Sequence, residues 1–465
     1  MSKDKQFLAD IARVALPITI QSVIMSLLSM SDQLMVGQLG EVAIAAVGIS
    51  AKLTAMVSVV LSGLAAGLSI YSAQCWGKGD HRTIRQLLGL GLGVGLLLAG
   101  SLALLVGLFP RWVMSPFTSD EQLLSEGAIF VQVVAWSYLP SMLTLIYSAI
   151  LRSTGQVKLL MYASSCAVVM NVLLNYLLIF GHGGFPQWGL FGAAVATTVA
   201  RILEFGLILG GAYALRHVVA VKRRVELLGM APQFFRRFLQ TCIPIVLTEL
   251  LWVLGESGYA VVYGRMGTEQ LSAMTMTYPL QGLSIGLLCG LAGAASVLVG
   301  QRLGGNDFAG AIRYARRLLR LGIGISVLVG IGIALLSPFY ISWYQTSAAV
   351  QQMGYWCLLV FCAFLWVKVA NMIIAGGVLN SGGDSKFVFA MESMATWLIG
   401  VPSGFVMAFY FELPVYWVYL VLSGEELVRL GVGYYRLRSK RWVRNLVSES
   451  PETGHFNPIE GPSPV

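Results

Sequence analysis

Long apolar runs alternate with short polar stretches along almost the whole chain. Each run is long enough to cross the roughly 30 Å of hydrocarbon in a bilayer, where only a helix satisfies the backbone groups of a single segment. The pattern therefore predicts twelve transmembrane helices. These spans are expected near residues 14–36, 48–73, 87–109, 127–150, 160–180, 191–214, 241–263, 274–299, 316–337, 353–376, 387–410 and 414–436.

The second half of the chain repeats the first. A shift of 227 residues lays Pro17 on Pro244 and Asp80 on Asp307, and after one inserted residue a shift of 228 continues the match. Each repeat holds six spans, an even number, so both repeats enter the membrane in the same direction. The prediction is an all-α polytopic membrane protein whose two six-helix lobes form a parallel internal repeat around a cleft.

Domain boundaries follow from the spans and from the polar segments between them. An N-lobe is predicted over residues 1–215 and a C-lobe over 241–444, joined by a basic cytoplasmic linker at 216–240. Residues 445–465 are polar and rich in Pro, so they are predicted to be a disordered cytoplasmic tail.

Composition and the placement of charge agree with a membrane protein. Hydrophobic residues make up 57% and charged residues 11%, with mean hydropathy +0.75, whereas soluble proteins carry about 25% charged residues. Most of the 31 Lys and Arg residues lie on one side of the predicted membrane. The positive-inside rule then places both termini in the cytoplasm, as expected of a plasma (inner) membrane protein. The net charge of +9 therefore does not indicate nucleic-acid binding.

One carboxyl group lies deep in the first span. Gln21, Met25 and Asp32 share a helical face, and Asp32 has no charged partner three or four residues away. A carboxyl removed from water is less readily ionised, so Asp32 is predicted to take up and release a proton near neutral pH. Gln21 and Met25 are predicted to line a substrate cavity. The alternative for Asp32 is a hydrogen bond to a neighbouring helix.

The equivalent face of the seventh span is acidic and aromatic. It carries Glu249, Trp252, Glu256 and Tyr259. Carboxylates beside aromatic rings attract an organic cation through its charge and through cation–π contact. These four residues are therefore predicted to line the substrate cavity. The alternative is that the rings fill the helix bundle while the acids pair elsewhere.

Other charges within the spans have partners on their own helix. Arg201 and Glu204 are three residues apart, and Glu425 and Glu426 are within reach of Arg429. These spacings predict local ion pairs.

Lys368 of the tenth span has no acid nearby in the sequence. An unpaired ammonium at this depth costs at least about 2.5 kcal/mol, so Lys368 is placed beside the cavity and paired with an acid of the seventh span. Glu249 is the favoured partner, because its predicted depth in the membrane is similar to that of Lys368. Glu256 lies about 10 Å further along the helix, at 1.5 Å per residue.

Several motifs resemble the multidrug and toxic compound extrusion (MATE) family. They are Asp32-x-x-Met-Val-Gly-x-Leu-Gly, Gln74-x-x-Gly-x-Gly-Asp80 with its repeat Gln301-x-x-Gly-x-Asn-Asp307, Leu151-Arg-Ser-x-Gly-Gln and Asn171-x-x-Leu-Asn175. The resemblance covers nearly the whole chain except the tail. It implies two lobes around a central cavity and export of cationic, amphipathic compounds driven by inward flow of protons or sodium ions.

The resemblance also implies a coupling site. Asp32 matches the acid of the family's first helix, Asn171 and Asn175 match a fifth-helix N-x-x-x-[DN] pattern, and Thr197 follows G-A-A-x-A as in the family. The proton-coupled branch carries Asp where this chain has Asn175, and the sodium-coupled branch has an acid near the position of Lys368. The coupling ion is therefore left open between H⁺ and Na⁺.

The sequence favours a cation-coupled antiporter for small cationic organic compounds. It is expected to work as a monomer among membrane lipids, without a cofactor, nucleic acid, catalytic residues or a bound metal other than a possible Na⁺. The alternative within the superfamily is a flippase for a lipid-linked precursor, which would need a cleft lined by Arg and Lys. An enzyme is not expected, because no His pair or acidic D-x-x-D run is present.

Overall fold

The computed structural model describes residues 3–39, 41–116, 121–221, 227, 229–344 and 346–448. Its α-helices are α1 (Lys3–Gly37), α2 (Glu41–Lys78), α3 (His81–Leu108), α4 (Pro110–Met114), α5 (Glu121–Ala135), α6 (Tyr138–Ser153), α7 (Val157–Phe180), α8 (Gly189–Ala214), α9 (Pro232–Met266), α10 (Thr268–Gly304), α11 (Phe308–Ser342), α12 (Ala348–Asn371), α13 (Ser385–Met394), α14 (Val401–Phe409) and α15 (Val415–Arg438). A π-helical turn, Met372–Leu379, and a 3₁₀ turn, Asn380–Gly382, prolong α12. Another π-helical turn, Ala395–Gly400, joins α13 to α14.

These helices agree with the twelve predicted spans. Within the described residues, eight helices are long and apolar enough to cross a membrane, and the bent pair α5 and α6 makes a ninth. The remaining predicted spans coincide with α2, with α13 and α14 together, and with α15. The prediction of an all-helical membrane fold is confirmed.

The fourth span is bent rather than straight, which corrects the prediction of one continuous helix over 127–150. Helices α5 and α6 meet at an angle of 41°. Pro140 lies in the first turn of α6. Its ring has no N–H and clashes with the carbonyl group of Trp136, four residues earlier, so a straight α-helix cannot pass through this point.

The duplication is visible in the way equivalent helices begin. Asp80 precedes α3 and its Oδ1 accepts a hydrogen bond from Thr83 N at 3.0 Å, while Asp307 precedes α11 and accepts from Gly310 N at 2.8 Å. Each carboxylate satisfies an N–H group that has no partner within its helix. Equivalent residues of the two repeats therefore have the same structural role.

The chain folds into two compact units. The amino-terminal unit comprises Ile20–Ser72 and Asp80–Arg236, and the carboxy-terminal unit comprises Met1–Thr19, Ala73–Gly79 and Arg237–Val465. Helix α1 is thus divided between the two units after Thr19. The last residues of α2 belong to the carboxy-terminal unit, whereas the rest of α2 belongs to the amino-terminal unit. The predicted lobes at 1–215 and 241–444 stay a prediction, as does the linker at 216–240, of which 222–226 and 228 lie outside the described residues.

The amino-terminal unit has a core of small and branched side chains. Val131, Ala135, Ile179 and Ala194 are completely buried there, and Met114 of the short helix α4 joins them. Small residues let helix backbones approach closely in lipid. The closely packed helices of this unit carry the first polar cluster described below.

The end of α15 is followed by an ordered segment, which corrects the predicted start of the tail. Trp442 and Val443 are each 1% exposed, and Asn445 and Val447 are also buried. Polar composition alone predicts disorder because it cannot show that helix ends are available to pair with these residues. The remainder of the predicted tail, 449–465, lies outside the described residues.

Candidate functional site

A small polar cavity lies inside the amino-terminal unit, between α1, α7 and α8. Its volume is about 20 Å³, room for about one water molecule. The polar groups around it are Asp32, Ser164, Asn171, Thr197, Arg201 and Glu204. Met25 of the predicted substrate cavity also contributes to its wall.

Asp32 is hydrogen-bonded to a neighbouring helix within this unit. Its Oδ1 accepts from Nδ2 of Asn175 at 2.7 Å, and the same amide donates to Oδ1 of Asn171 at 3.1 Å. Thr197 lines the same cavity and donates to the carbonyl oxygen of Ala193. The structure therefore brings together the four residues predicted to form the coupling site, although their role in coupling stays a prediction.

The oxygen of the Asn175 side chain is unsatisfied. Oδ1 is buried and has no hydrogen-bond partner among the residues that the structure describes. A buried polar atom without a partner is uncommon and costs free energy. The same side chain uses its nitrogen to bond Asp32 and Asn171, so its oxygen is the group left unpaired.

A chain of hydrogen bonds links α1 to α8 next to Asp32. Gln21 Nε2 donates to Ser164 Oγ at 2.8 Å, and Ser164 Oγ donates to Glu204 Oε1 at 2.7 Å. The other oxygen of Glu204 is 2.8 Å from Nη1 of Arg201, which confirms the local ion pair predicted from their spacing. Gln21 thus contacts this network. Ser164 had no sequence signal, because a lone serine in an apolar helix is ordinary.

The charges of the cavity nearly balance. When ionised, the carboxylates of Asp32 and Glu204 carry two negative charges, and the guanidinium of Arg201 carries one positive charge. One negative charge remains. A single proton or monovalent cation would neutralise the cavity, which suits a site that alternates between two charge states.

A second polar cluster lies in the carboxy-terminal unit, and it corrects the prediction for Lys368. Lys368 Nζ is 3.1 Å from Oε1 of Glu426, so the predicted pair with Glu249 is wrong. Asn371 Nδ2 donates to the other oxygen of Glu426 at 2.7 Å. In the sequence, Glu426 already has Arg429 three residues away, so the partner of Lys368 was expected among the acids of the seventh span. In the structure, α12 packs along α15, so Glu426 serves both cations.

Arg429 holds the other part of this cluster together. It is 2.8 Å from Glu425 and 3.7 Å from Glu426, which confirms the predicted local ion pairs. Arg429 Nη2 also donates to the hydroxyl of Thr396, and Tyr259 donates to Oε2 of Glu425 at 2.7 Å. Buried charges arranged in this way are paired and hydrogen-bonded, as the low dielectric of a helix bundle requires.

The predicted cavity residues of α9 therefore have different surroundings. Tyr259 belongs to the buried ion-pair cluster through its hydrogen bond to Glu425. This agrees with the alternative interpretation, in which the aromatic rings of this face fill the helix bundle. Trp252 is exposed and lines a shallow cleft with Glu392 of α13. Glu249 is partly exposed and Glu256 exposed on α9. Their contact with a substrate stays a prediction.

Comparison with known proteins identifies the family. The MatE family model matches residues 17–177 and again residues 244–406. The two matches begin 227 residues apart, the shift that relates the repeats, so the duplication is confirmed. The chain is 23% identical to the uncharacterized transporter YisQ of Bacillus subtilis (strain 168), over 92% of this chain and 93% of that protein. It is 28% identical to the probable multidrug resistance protein NorM of Rhizobium meliloti (strain 1021), over 83% of this chain and 82% of that one.

Solved structures share the fold. A crystal structure of MATE in complex with MaL6 superposes with a TM-score of 0.85 at 18% identity, covering 95% of this chain and 98% of the other. The outward-facing conformation of a multidrug resistance MATE family transporter of the MOP superfamily superposes with a TM-score of 0.84, also at 18% identity, covering 94% and 96%. With family matches over both repeats and this shared fold, the chain is an integral membrane protein that belongs to the MatE family.

Proposed function

We propose that the chain exports cationic, amphipathic organic compounds across the plasma (inner) membrane by alternating access, with both termini in the cytoplasm. Inward flow of H⁺ or Na⁺ supplies the energy. Relatives that span most of its length carry the names of transporters and probable multidrug resistance proteins, and these names support the proposal.

The observation that carries the proposal is the position of Asp32. This carboxyl group faces a cavity the size of about one water molecule, beside the amide of Asn175 and the ion pair of Arg201 with Glu204. The remaining single negative charge suits a site that a monovalent cation or a proton enters and leaves. Coupling then follows if the protein changes conformation only when this charge is neutralised or when substrate has replaced the ion.

The alternative of a lipid-linked precursor flippase gains no support from the buried cations. Such a substrate carries phosphate groups, which need Arg or Lys side chains that are not already neutralised. Arg201, Lys368 and Arg429 each lie against a carboxylate. These three cations are therefore committed to ion pairs.

The proposal is tested with purified protein in proteoliposomes loaded with ethidium, a cationic aromatic dye. A pH gradient and a sodium gradient are imposed separately, with protein-free vesicles as the control. We expect efflux above the control with at least one gradient, abolished by an ionophore that collapses it. Efflux that is absent under both gradients contradicts the proposal.

A further inference from the structure

The segment that follows α15 crosses the ends of three other helical segments of the carboxy-terminal unit. We call residues Trp442–Val447 the strap. Trp442 is almost completely buried, and its indole Nε1 donates to the carbonyl oxygen of Leu437 at 3.1 Å. This bond turns the chain back from the end of α15 and directs the strap over the neighbouring helix ends.

Two glycines let the strap lie directly on the 3₁₀ turn that prolongs α12. A Cβ atom at Gly382 would overlap the carbonyl oxygen of Trp442. Gly383 has a φ of +75°, and a Cβ atom there would meet the side chain of Leu446. A backbone-to-backbone approach this close requires glycine. The sequence Gly382-Gly383 therefore forms the seat of the strap.

Gln74, near the end of α2, joins the strap to this seat. Its Nε2 donates to the carbonyl oxygens of Ser381 at 2.7 Å and Arg444 at 3.3 Å. Its Oε1 accepts from the backbone N–H of Leu446 at 2.6 Å. One buried amide thus uses both its donor and its acceptor groups to hold the strap against α2.

Further hydrogen bonds hold the strap to α2 and to the end of α10. Lys78 donates to the carbonyl oxygen of Val447 at 3.1 Å. Asn445 Nδ2 donates to the carbonyl oxygen of Gly304 at 3.2 Å and to Oδ1 of Asn306 at 2.7 Å. The strap therefore bridges the last turns of α2 and α10, which are equivalent helices of the two repeats.

The two bridged helix ends also touch each other reciprocally. A Cβ atom at Gly77 would overlap the carbonyl oxygen of Gln301, and one at Gly304 would overlap that of Gln74. Gly77 and Gly304 are repeat equivalents, as are Gln74 and Gln301. The duplication has thus produced a symmetric contact between helix ends, and the strap covers it on one side.

We propose that the strap is a latch that holds the ends of α2 and α10 together in the state described here and detaches when they separate during transport. This inference rests on the proposed alternating access, because only a cycle that separates equivalent ends of the two repeats needs such a latch. The duplicated helices supply the contact. The strap sets how readily that contact opens.

The first test asks whether the strap is held as described, and it does not depend on transport. Backbone amide exchange of residues 440–448 is followed by mass spectrometry in wild type, Gly382→Ala and the matched control Gly376→Ala, where a Cβ atom meets nothing within 4 Å. We expect slow exchange in wild type and in the control. Gly382→Ala should exchange about fivefold faster or more, as for loss of at least one hydrogen bond. Fast exchange in wild type overturns the latch.

The second test asks whether release of the strap is required for transport. Lys78→Cys and Val447→Cys are combined in a background without the native cysteines, and the thiols are joined by a short bis-methanethiosulfonate reagent. Each single variant receives the same treatment as a control. We expect ethidium efflux to be lost on cross-linking and restored by dithiothreitol, with both single variants active.

Full efflux by the cross-linked double variant overturns the latch and leaves the proposed transport function standing. If instead wild type exports no ethidium under either gradient, the proposed function fails. The exchange measurement still decides whether the strap is docked on its glycine seat.

Discussion

Replacing Glu426 by Gln removes the carboxylate that pairs with Lys368 in the carboxy-terminal unit. The ammonium then loses its partner at 3.1 Å, while its side chain is only 24% exposed. Breaking a buried ion pair from one side costs about 3–5 kcal/mol, because the remaining charge is left without compensation. We expect Glu426→Gln to lie near the lower end of this range, since Lys368 is not completely shielded.

The opposite replacement should cost less. When Lys368 becomes Met, Glu426 keeps Arg429 at 3.7 Å and the amide of Asn371 at 2.7 Å. The loss is then that of one charge-assisted hydrogen bond, about 1.5–3 kcal/mol. The double variant leaves no ammonium unpaired. It should therefore be more stable than Glu426→Gln alone, so that a second mutation restores stability.

The assay is a double-mutant cycle on the free energy of unfolding in mixed SDS and detergent micelles, for Glu426→Gln, Lys368→Met and the pair. A parallel cycle with Glu249→Gln in place of Glu426→Gln is the control. Its effects should add, because Glu249 is not the partner of Lys368 in the structure. Additive effects in the Glu426 cycle, or coupling in the Glu249 cycle, would refute this assignment of the ion pair.

Three further variants test other parts of the structure. Arg201→Met removes the internal cation of the amino-terminal cavity and leaves two carboxylates there, so the purified protein should melt at a higher temperature in Na⁺ than in K⁺ at equal ionic strength. Equal melting temperatures in the two salts would contradict the charge balance assigned to this cavity. Gly304→Ala places a Cβ atom against the carbonyl of Gln74. Its melting temperature should lie well below that of the control Gly324→Ala, whose Cβ atom meets nothing within 4 Å. Equal melting temperatures of the two variants would contradict the close helix contact. Burial lowers the pKa of His217 from 6.5 to about 4. Between these pH values the unfolded chain binds a proton that the folded chain does not, so stability should fall as the pH drops from about 6.5 to about 4. A fall in stability no larger than that of His217→Asn would refute this.

The helical fold and the duplication could be predicted from the sequence because each depends on many residues. Twelve apolar runs specify the spans through length alone, and the shift of Pro17 onto Pro244 recurs at glycines and at the capping residues Asp80 and Asp307. Helix bends depend on single residues. Pro140 was present in the sequence, yet whether a proline bends or ends a helix depends on how its neighbours pack.

The two polar clusters show where sequence reasoning succeeds and fails. Arg201 and Glu204 pair on one helix, so their spacing of three residues is sufficient. Lys368 pairs across helices, and its partner depends on which helices are neighbours and how each is rotated about its axis. Neither quantity follows from the depth of a residue in the membrane. Glu426, which already had Arg429 nearby, was therefore overlooked.

The strap was missed for a related reason. Asn445 and its neighbours precede a polar, Pro-rich stretch, and local composition there predicts disorder. Order arises from partners outside the local stretch, such as Gln74, which is 372 residues from Leu446, and the glycine Gly382. Such contacts are invisible in a local window, because both partners are ordinary residues at the ends of membrane helices.

The central claim is that the carboxyl group of Asp32 couples an ion gradient to export. It is tested most directly by ethidium efflux from proteoliposomes that contain Asp32→Asn, with Asp10→Asn on the same helix as the matched control. Both variants are first required to melt within the range of wild type. We expect Asp10→Asn to retain gradient-driven efflux and Asp32→Asn to show none above protein-free vesicles. Efflux by Asp32→Asn at the wild-type rate, under the same gradient, would contradict the account.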